Sequence, residues 1–402
     1  MQNRHLVNAL QNIRWWFGRS LVRSKPLAVV LCHPSDVPPG PKARWEEMFL
    51  PNGSDPLNVN RYWSEVSLGS HSPAGTRVFG WLDIGHTNAE ISAFAGRAQR
   101  VQLGAWALDA VRNANISLTG FTQVIFGYNI NADHGSLGGN SAVIAYAGDR
   151  EFEPTFIAHE LGHTLGLGHS SSQLDGVYGD RFDIMSAMNV WSFHDSRGRP
   201  AGPGAAAINL ENLGWLPPSR VWRSWPRTAQ TIQLTALNRP GRAGWLAARL
   251  SAAPGSPPVY LEYRENTAWD RALPGPRVLV HARNTENGPD IFGGGGHPAG
   301  ALPAKGQIIL PTASDPLVIR VDSIDTTNSL ATVRLWLQSK QVTVPDVTEN
   351  PRARAAQQIR AANLKPIFQG RGTHVASQQP RGGAQADPGS AVTCRMNPNK
   401  PN

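Results

Sequence analysis

Within HELGHTLGLGH, residues 159 to 169, stand His159, Glu160, His163, Gly166 and His169, and this stretch limits what the chain can fold into more than any other. On an α-helix, two residues four apart differ by about 400° in angle and about 6 Å in height. His159 and His163 therefore project from one face and can meet a single ion. Glu160 lies about 100° further round, beside that ion and in position to act as a base. Were the helix to continue, the ring at 169 would sit about 9 Å up the axis from His163, out of reach. The chain has to turn at Gly166, because glycine takes the positive φ that a left-handed helix end requires. Three neutral imidazoles with one position left for water are the donor set of a catalytic zinc site. The spacing predicts zinc ligands at His159, His163 and His169 and a general base at Glu160. The helix that carries them is expected to start at Pro154 and to pack through Phe156, Ile157, Leu161 and Leu165.

The string H-E-x-x-H-x-x-G-x-x-H resembles the metzincin signature. That resemblance implies a methionine-bearing turn beneath the ligands. Met185 in YGDRFDIMSAM fits it, with Met188 as the alternative. Within the metzincins, the YGD ahead of Met185 and a trailing β-rich region with LEYR are most similar to the gametolysin-like peptidases. The implied activity is zinc-dependent endopeptidase action on protein or peptide substrates. A zinc-activated water attacks the peptide carbonyl, and Glu160 takes its proton and returns it to the leaving amine. The substrate is then expected to lie extended against an edge strand, for which SAVIAYAG at 141 to 148 is the expected element. One position departs from the pattern. Some metzincins carry a tyrosine two residues after the methionine, and this chain has Ala187 there. Tyr178 and His194 are candidates to replace it, each weighed against an ordinary loop role. Asp180 and Asp183 fall short of the roughly six to eight oxygens that calcium takes, so turn capping is expected of both.

The surrounding chain reads as a multidomain α+β protein. Its 402 residues exceed what one hydrophobic core usually organises. A short N-terminal arm is expected over 1–25 and a metzincin-like catalytic domain over 26–218. In the latter, LAVVLCH and FTQVIFGY read as strands, and Val101, Trp106, Ala110, Val111 and Ala114 recur at helical spacing. From 219 to 340 come short runs separated by Gly, Pro and Asn: TIQLTAL, GWLAARL, VYLEYR, RVLVHAR, QIILP, LVIRVD and ATVRLWL. Many short strands joined by turns predict an antiparallel β-sandwich domain. GGGG at 293 to 296 lacks the strand-before, helix-after context of a phosphate loop and reads as a hairpin connection.

Over 341–402 a small α+β module is expected. Asn350 is the expected helix cap with Pro351 in first position, Ala355, Ala356, Ile359 and Ala362 give an apolar face, and Asn363 closes the helix in left-handed geometry. VTVPDV, the Ala-rich helix, LKPIF and the closing PGSAV resemble a PASTA domain. That resemblance implies attachment to peptidoglycan or a related cell-wall surface, with a plain spacer as the other reading.

Net charge is +9, and the module carries 8 Lys and Arg against 3 Asp and Glu. The basic residues are scattered, and no nucleic-acid-binding motif accompanies them, so nucleic acid is not an expected partner. No apolar run near the start approaches the roughly 20 residues of a transmembrane helix, and the first residues lack the apolar core of a signal peptide. Work outside the cell or at its surface is therefore expected from the last module alone, with the cytoplasm as the alternative. Cys32 and Cys394 are too few for a disulfide scaffold and are expected to be idle thiols. A catalytically inactive zinc-binding wall protein is the competing function.

Overall fold

Where both faces of a sheet are covered, its strands are apolar throughout, and LAVVLCH shows this pattern. In the computed structural model, which describes residues 23–148, 150–252, 256–294, 298–312, 315–338 and 341–398, it forms β1, Leu27–His33. Arg77–Asp83 is β2, Gln123–Tyr128 is β3, Gly135–Gly138 is β4 and Ser141–Ala145 is β5. They form a five-stranded sheet in the order β2-β1-β3-β5-β4, parallel except for β4. Most of the expected arm, residues 1–22, lies outside the described residues.

Alternation in this sheet divides the core in two. Leu27, Val29, Leu31, Ile125, Ala142 and Ile144 pack with helices α1 (Lys42–Phe49), α2 (Val59–Val66) and α4 (Pro154–Thr164). Val30, Cys32, Phe126, Tyr128, Val143 and Ala145 pack with α3, Gly96–Asn113. The buried stripe of α3 runs through Leu103, Ala107, Ala110 and Val111, whereas Val101, expected in it, is exposed. Cys32 and Cys394 are buried free thiols, as expected.

The strand within SAVIAYAG, expected to be an edge for substrate, is an interior strand. Ser141–Ala145 is paired on both sides, with β3 and β4, so the edge on that side of the sheet is β4 and the opposite edge is β2. Four residues with glycine at each end carry no apolar alternation by which a sequence reading finds a strand.

The later strands fall close to their expected ranges and are distributed over two compact units. Ala247–Leu250, Val259–Arg264, Arg277–Arg283 and Pro289–Ile291 pair antiparallel in the first unit, and Pro289–Ile291 also runs parallel to Ser171–Ser172. The expected boundary at 218/219 thus passes through paired structure. Gln307–Leu310, Leu317–Asp325 and Leu330–Leu337 belong to a four-stranded sheet of the second unit. That unit also holds the C-terminal helix Arg352–Ala361 and the sheet of Lys365–Gln369, Ala391–Met396 and Val375–Gln379. Ala355, Ala356 and Ile359 are the buried helix face, and Asn363 has φ 56° as expected. The cap is Pro351 rather than Asn350, whose amide instead donates to Gln358 at 2.7 Å. The arrangement is multidomain α+β and rich in sheet.

A chain ended at residue 218 loses the partner of Ser171–Ser172 and the buried His281 against Asp180. Its expected behaviour is loss of the cooperative thermal transition seen by circular dichroism in the full chain; a sharp melt at the same temperature contradicts this.

Candidate metal centre

Helix α4 begins with Pro154 in its first turn, where a missing N–H costs nothing, and its inner face buries Ile157, Ala158 and Leu161. It ends in a Schellman pattern: Leu167 N–H donates to Gly162 O at 3.0 Å and Gly166 N–H to His163 O at 2.9 Å, with Gly166 at φ 97°. A side chain there would be strained, so the turn expected at Gly166 is the turn observed. His159, His163 and His169 converge, with their ligand atoms all within 4.8 Å of one another. The ring planes of His159 and His163 stand at 88°, and those of His163 and His169 at 86°.

Each ring has its Nδ1 set against an oxygen. His159 Nδ1 lies 3.0 Å from Ile184 O, His163 Nδ1 2.8 Å from Leu167 O, and His169 Nδ1 3.1 Å from a carboxylate oxygen of Glu286. This leaves Nε2 of each ring as the atom that could meet a metal ion. An acceptor on the second nitrogen is what a metal-binding histidine needs to fix its tautomer and orientation. Burial, with His163 nearby, pushes His159 down to about 3, and burial also lowers His163. Neutral imidazole is the ligating form, so the donor set fits zinc.

Glu160 is buried beside the rings. Its Oε2 accepts the N–H of Ser136 at 2.6 Å, joining the carboxylate to edge strand β4. Burial raises its pKa to about 7 against the lowering effects of the Ser136 N–H and Arg100. Proton acceptance and return are both open to such a carboxylate.

Met185 lies beneath α4 in a single 3₁₀ turn, Ile184–Ser186, and is fully buried. A Cβ on Gly162 would collide with the Met185 sulfur, so helix and methionine meet closely because residue 162 has no side chain. Met188, the alternative, is 54% exposed and makes no floor. Asp183 fixes this turn, accepting Met185 N–H at 2.8 Å, Ala206 N–H at 2.5 Å, Asn209 Nδ2 at 3.0 Å and the Ser170 hydroxyl. Asp180 accepts Phe182 N–H at 3.0 Å and meets His281 Nε2 at 3.0 Å. Both aspartates therefore cap turns, as expected, and spend their oxygens on protein donors.

Of the two candidates to stand in for a tyrosine at 187, Tyr178 is brought to the site and His194 is not. The Tyr178 hydroxyl is 3.1 Å from His169 Nε2, with ring centroids 4.7 Å apart. Its backbone is left-handed at φ 65°, held by Tyr178 N–H to Ser170 O at 2.8 Å and Asn189 Nδ2 to Tyr178 O at 2.7 Å. His194 sits in the two-residue strand Phe193–His194, exposed and opposite Pro200. Sequence reasoning missed Glu286, Ser136 and the anchoring work of Asp183. The run RNTENG signals a turn through its asparagines and glycine, yet nothing in it names a partner at 169.

Residues 102–192 match the model of the peptidase M66 family, and residues 342–396 match the model of the PASTA domain. The first match covers the helix, all three histidines, Glu160, Tyr178 and Met185, and it supports a peptidase. The second supports cell-wall binding. A search of curated proteins finds no match. Among solved structures, penicillin binding protein 2X from Streptococcus thermophilus is similar at 8% identity, covering 34% of this chain and 32% of that one, with a TM-score of 0.14. The chain thus spans about a third of that structure's length, and so slight a likeness carries no argument.

Asp183→Ala strips acceptors from several buried donors, each costing about 1–3 kcal/mol when left unmet. The expected loss is about 3 kcal/mol or more in chemical denaturation, and a variant as stable as the parent contradicts the anchoring role.

Proposed function

We propose that this chain is a zinc-dependent endopeptidase of the metzincin type that acts at a cell surface or cell wall. The reading rests on one observation above all: three imidazoles on a turned helix end converge, each with its Nδ1 against an oxygen acceptor. His159, His163 and His169 hold the metal. Zinc bound there supplies Lewis acidity and a water whose pKa falls towards about 7.

The chain's own groups do the rest. Glu160 takes a proton at its carboxylate from the attacking water and returns it to the leaving amine. Burial supports both halves of that exchange by raising its pKa to about 7. The N–H of Ser136 holds one carboxylate oxygen, so the base stays aimed beside the rings. Tyr178 offers its hydroxyl next to His169 Nε2, a donor for the oxygen of the carbonyl under attack. An extended substrate pairs along β4, the short antiparallel edge strand that also carries Ser136. Backbone pairing makes few demands on side chains, so sequence-tolerant cleavage follows.

The full chain is expected to cleave unfolded protein, to lose that activity to a chelator and to regain it with zinc. Glu160→Ala is expected to retain zinc and lose activity by several orders of magnitude. Cleavage that persists in Glu160→Ala, or that ignores the chelator, overturns the mechanism.

The PASTA match carries the location. Sedimentation with purified peptidoglycan is expected to remove the full chain from solution and to leave a chain lacking residues 341–402 behind; equal binding by both removes the anchoring claim.

A further inference from the structure

We infer that Glu286, from a hairpin outside the matched peptidase region, is a positioning residue that completes the metal centre by fixing His169; this rests on the zinc reading above. His163 is held by Leu167 O, within its own helix turn, and His159 by Ile184 O of the methionine turn. His169 has left the helix, so neither element can orient it. Its orientation comes from 117 residues further along the chain.

One carboxylate oxygen of Glu286 lies 2.8 Å from the backbone N of His169 and 3.1 Å from Nδ1 of the same residue. Holding both fixes the ring relative to its own backbone. On the other side, Asn284 Nδ2 donates to His169 O at 2.7 Å. The 284–288 turn therefore grips the third ligand by its N–H, its C=O and its ring.

The turn is built for this. Asn284 Oδ1 accepts the N–H of Glu286 at 3.0 Å and of Gly288 at 2.8 Å, so the residue gripping the carbonyl also shapes the loop that presents the carboxylate. Arg283↔Pro289 closes the hairpin, and Asp290↔Ser171 with Ile291↔Ser172 adds the strand just after His169 to it. There is no room for drift: a Cβ on Gly168 would press on Glu286, and one on Gly288 would strike His169 O.

Two consequences follow for a bound dication. A carboxylate on Nδ1–H makes Nε2 a stronger donor, and its negative charge offsets part of the charge that three neutral rings leave uncompensated. Glu286 acts through His169, whose N–H and ring nitrogen its carboxylate meets.

The test uses the full chain with zinc alone as the ligand, its affinity read by competition with a chromophoric chelator. Glu286→Ala is expected to weaken zinc binding about 10- to 100-fold, the usual effect of losing such a partner. Glu286→Gln keeps an acceptor without the charge and is expected to fall between Glu286→Ala and the parent. Cobalt(II) substituted for zinc gives a second readout, since a released third imidazole alters the visible spectrum where a merely stabilising residue does not. The Glu286 side chain is 46% exposed, so loss of its bond to the His169 N–H is expected to lower the metal-free melting temperatures of the variants only slightly, leaving them folded. Parent-like zinc affinity and cobalt spectrum in Glu286→Ala overturn this inference alone. A parent chain that takes up no zinc overturns the reading beneath it and this inference together.

Discussion

Everything at the candidate site depends on three Nδ1 atoms being held by oxygens, because a ring that swings cannot bind an ion and cannot hold its neighbours' geometry. The acceptors come from three parts of the chain: the helix turn at Leu167, the methionine turn at Ile184 and the hairpin at Glu286. Each part then needs its own support. Gly166 lets the helix end, Gly162 lets Met185 close up beneath it, and buried Asp183 gathers the turn and residues 206 and 209 onto one carboxylate.

That division explains which features could be read from the residues. The helix, its start at Pro154 and the break at Gly166 are local events, governed by spacing and by the φ that glycine allows, so HELGHTLGLGH announces them. Met185 follows within the same short segment and is legible by resemblance. Strands such as Leu27–His33 and Arg277–Arg283 show as apolar runs. Glu286 gives no such sign, since its role is a contact over 117 residues and its own run spells only a turn. β4 is hidden because GSLG has neither length nor alternation. Tyr178 and His194 are indistinguishable as loop residues until a left-handed backbone turns one of them towards His169.

Glu286 also bears on how the chain is divided. The peptidase match ends at 192, and the change to short strands invites a boundary near 218. The hairpin of 277–291 nevertheless supplies a strand partner to 171–172 and a carboxylate to His169. Composition changes where the architecture changes from helix and sheet to sheet alone, and that is a different place from where cooperation ends. The C-terminal module differs in this respect, for Val344, Val347, Ala355, Ile359, Leu364, Val375, Val392 and Cys394 form a cluster of their own.

X-ray absorption at the zinc edge of the zinc-loaded full chain addresses the central claim most directly, because it reads the atoms around the metal without reference to turnover. Three imidazole nitrogens and one further light atom, at about 2.0–2.1 Å and with no sulfur, are the result this account requires. A sulfur shell at about 2.3 Å, or a metal with only one or two imidazoles, contradicts it.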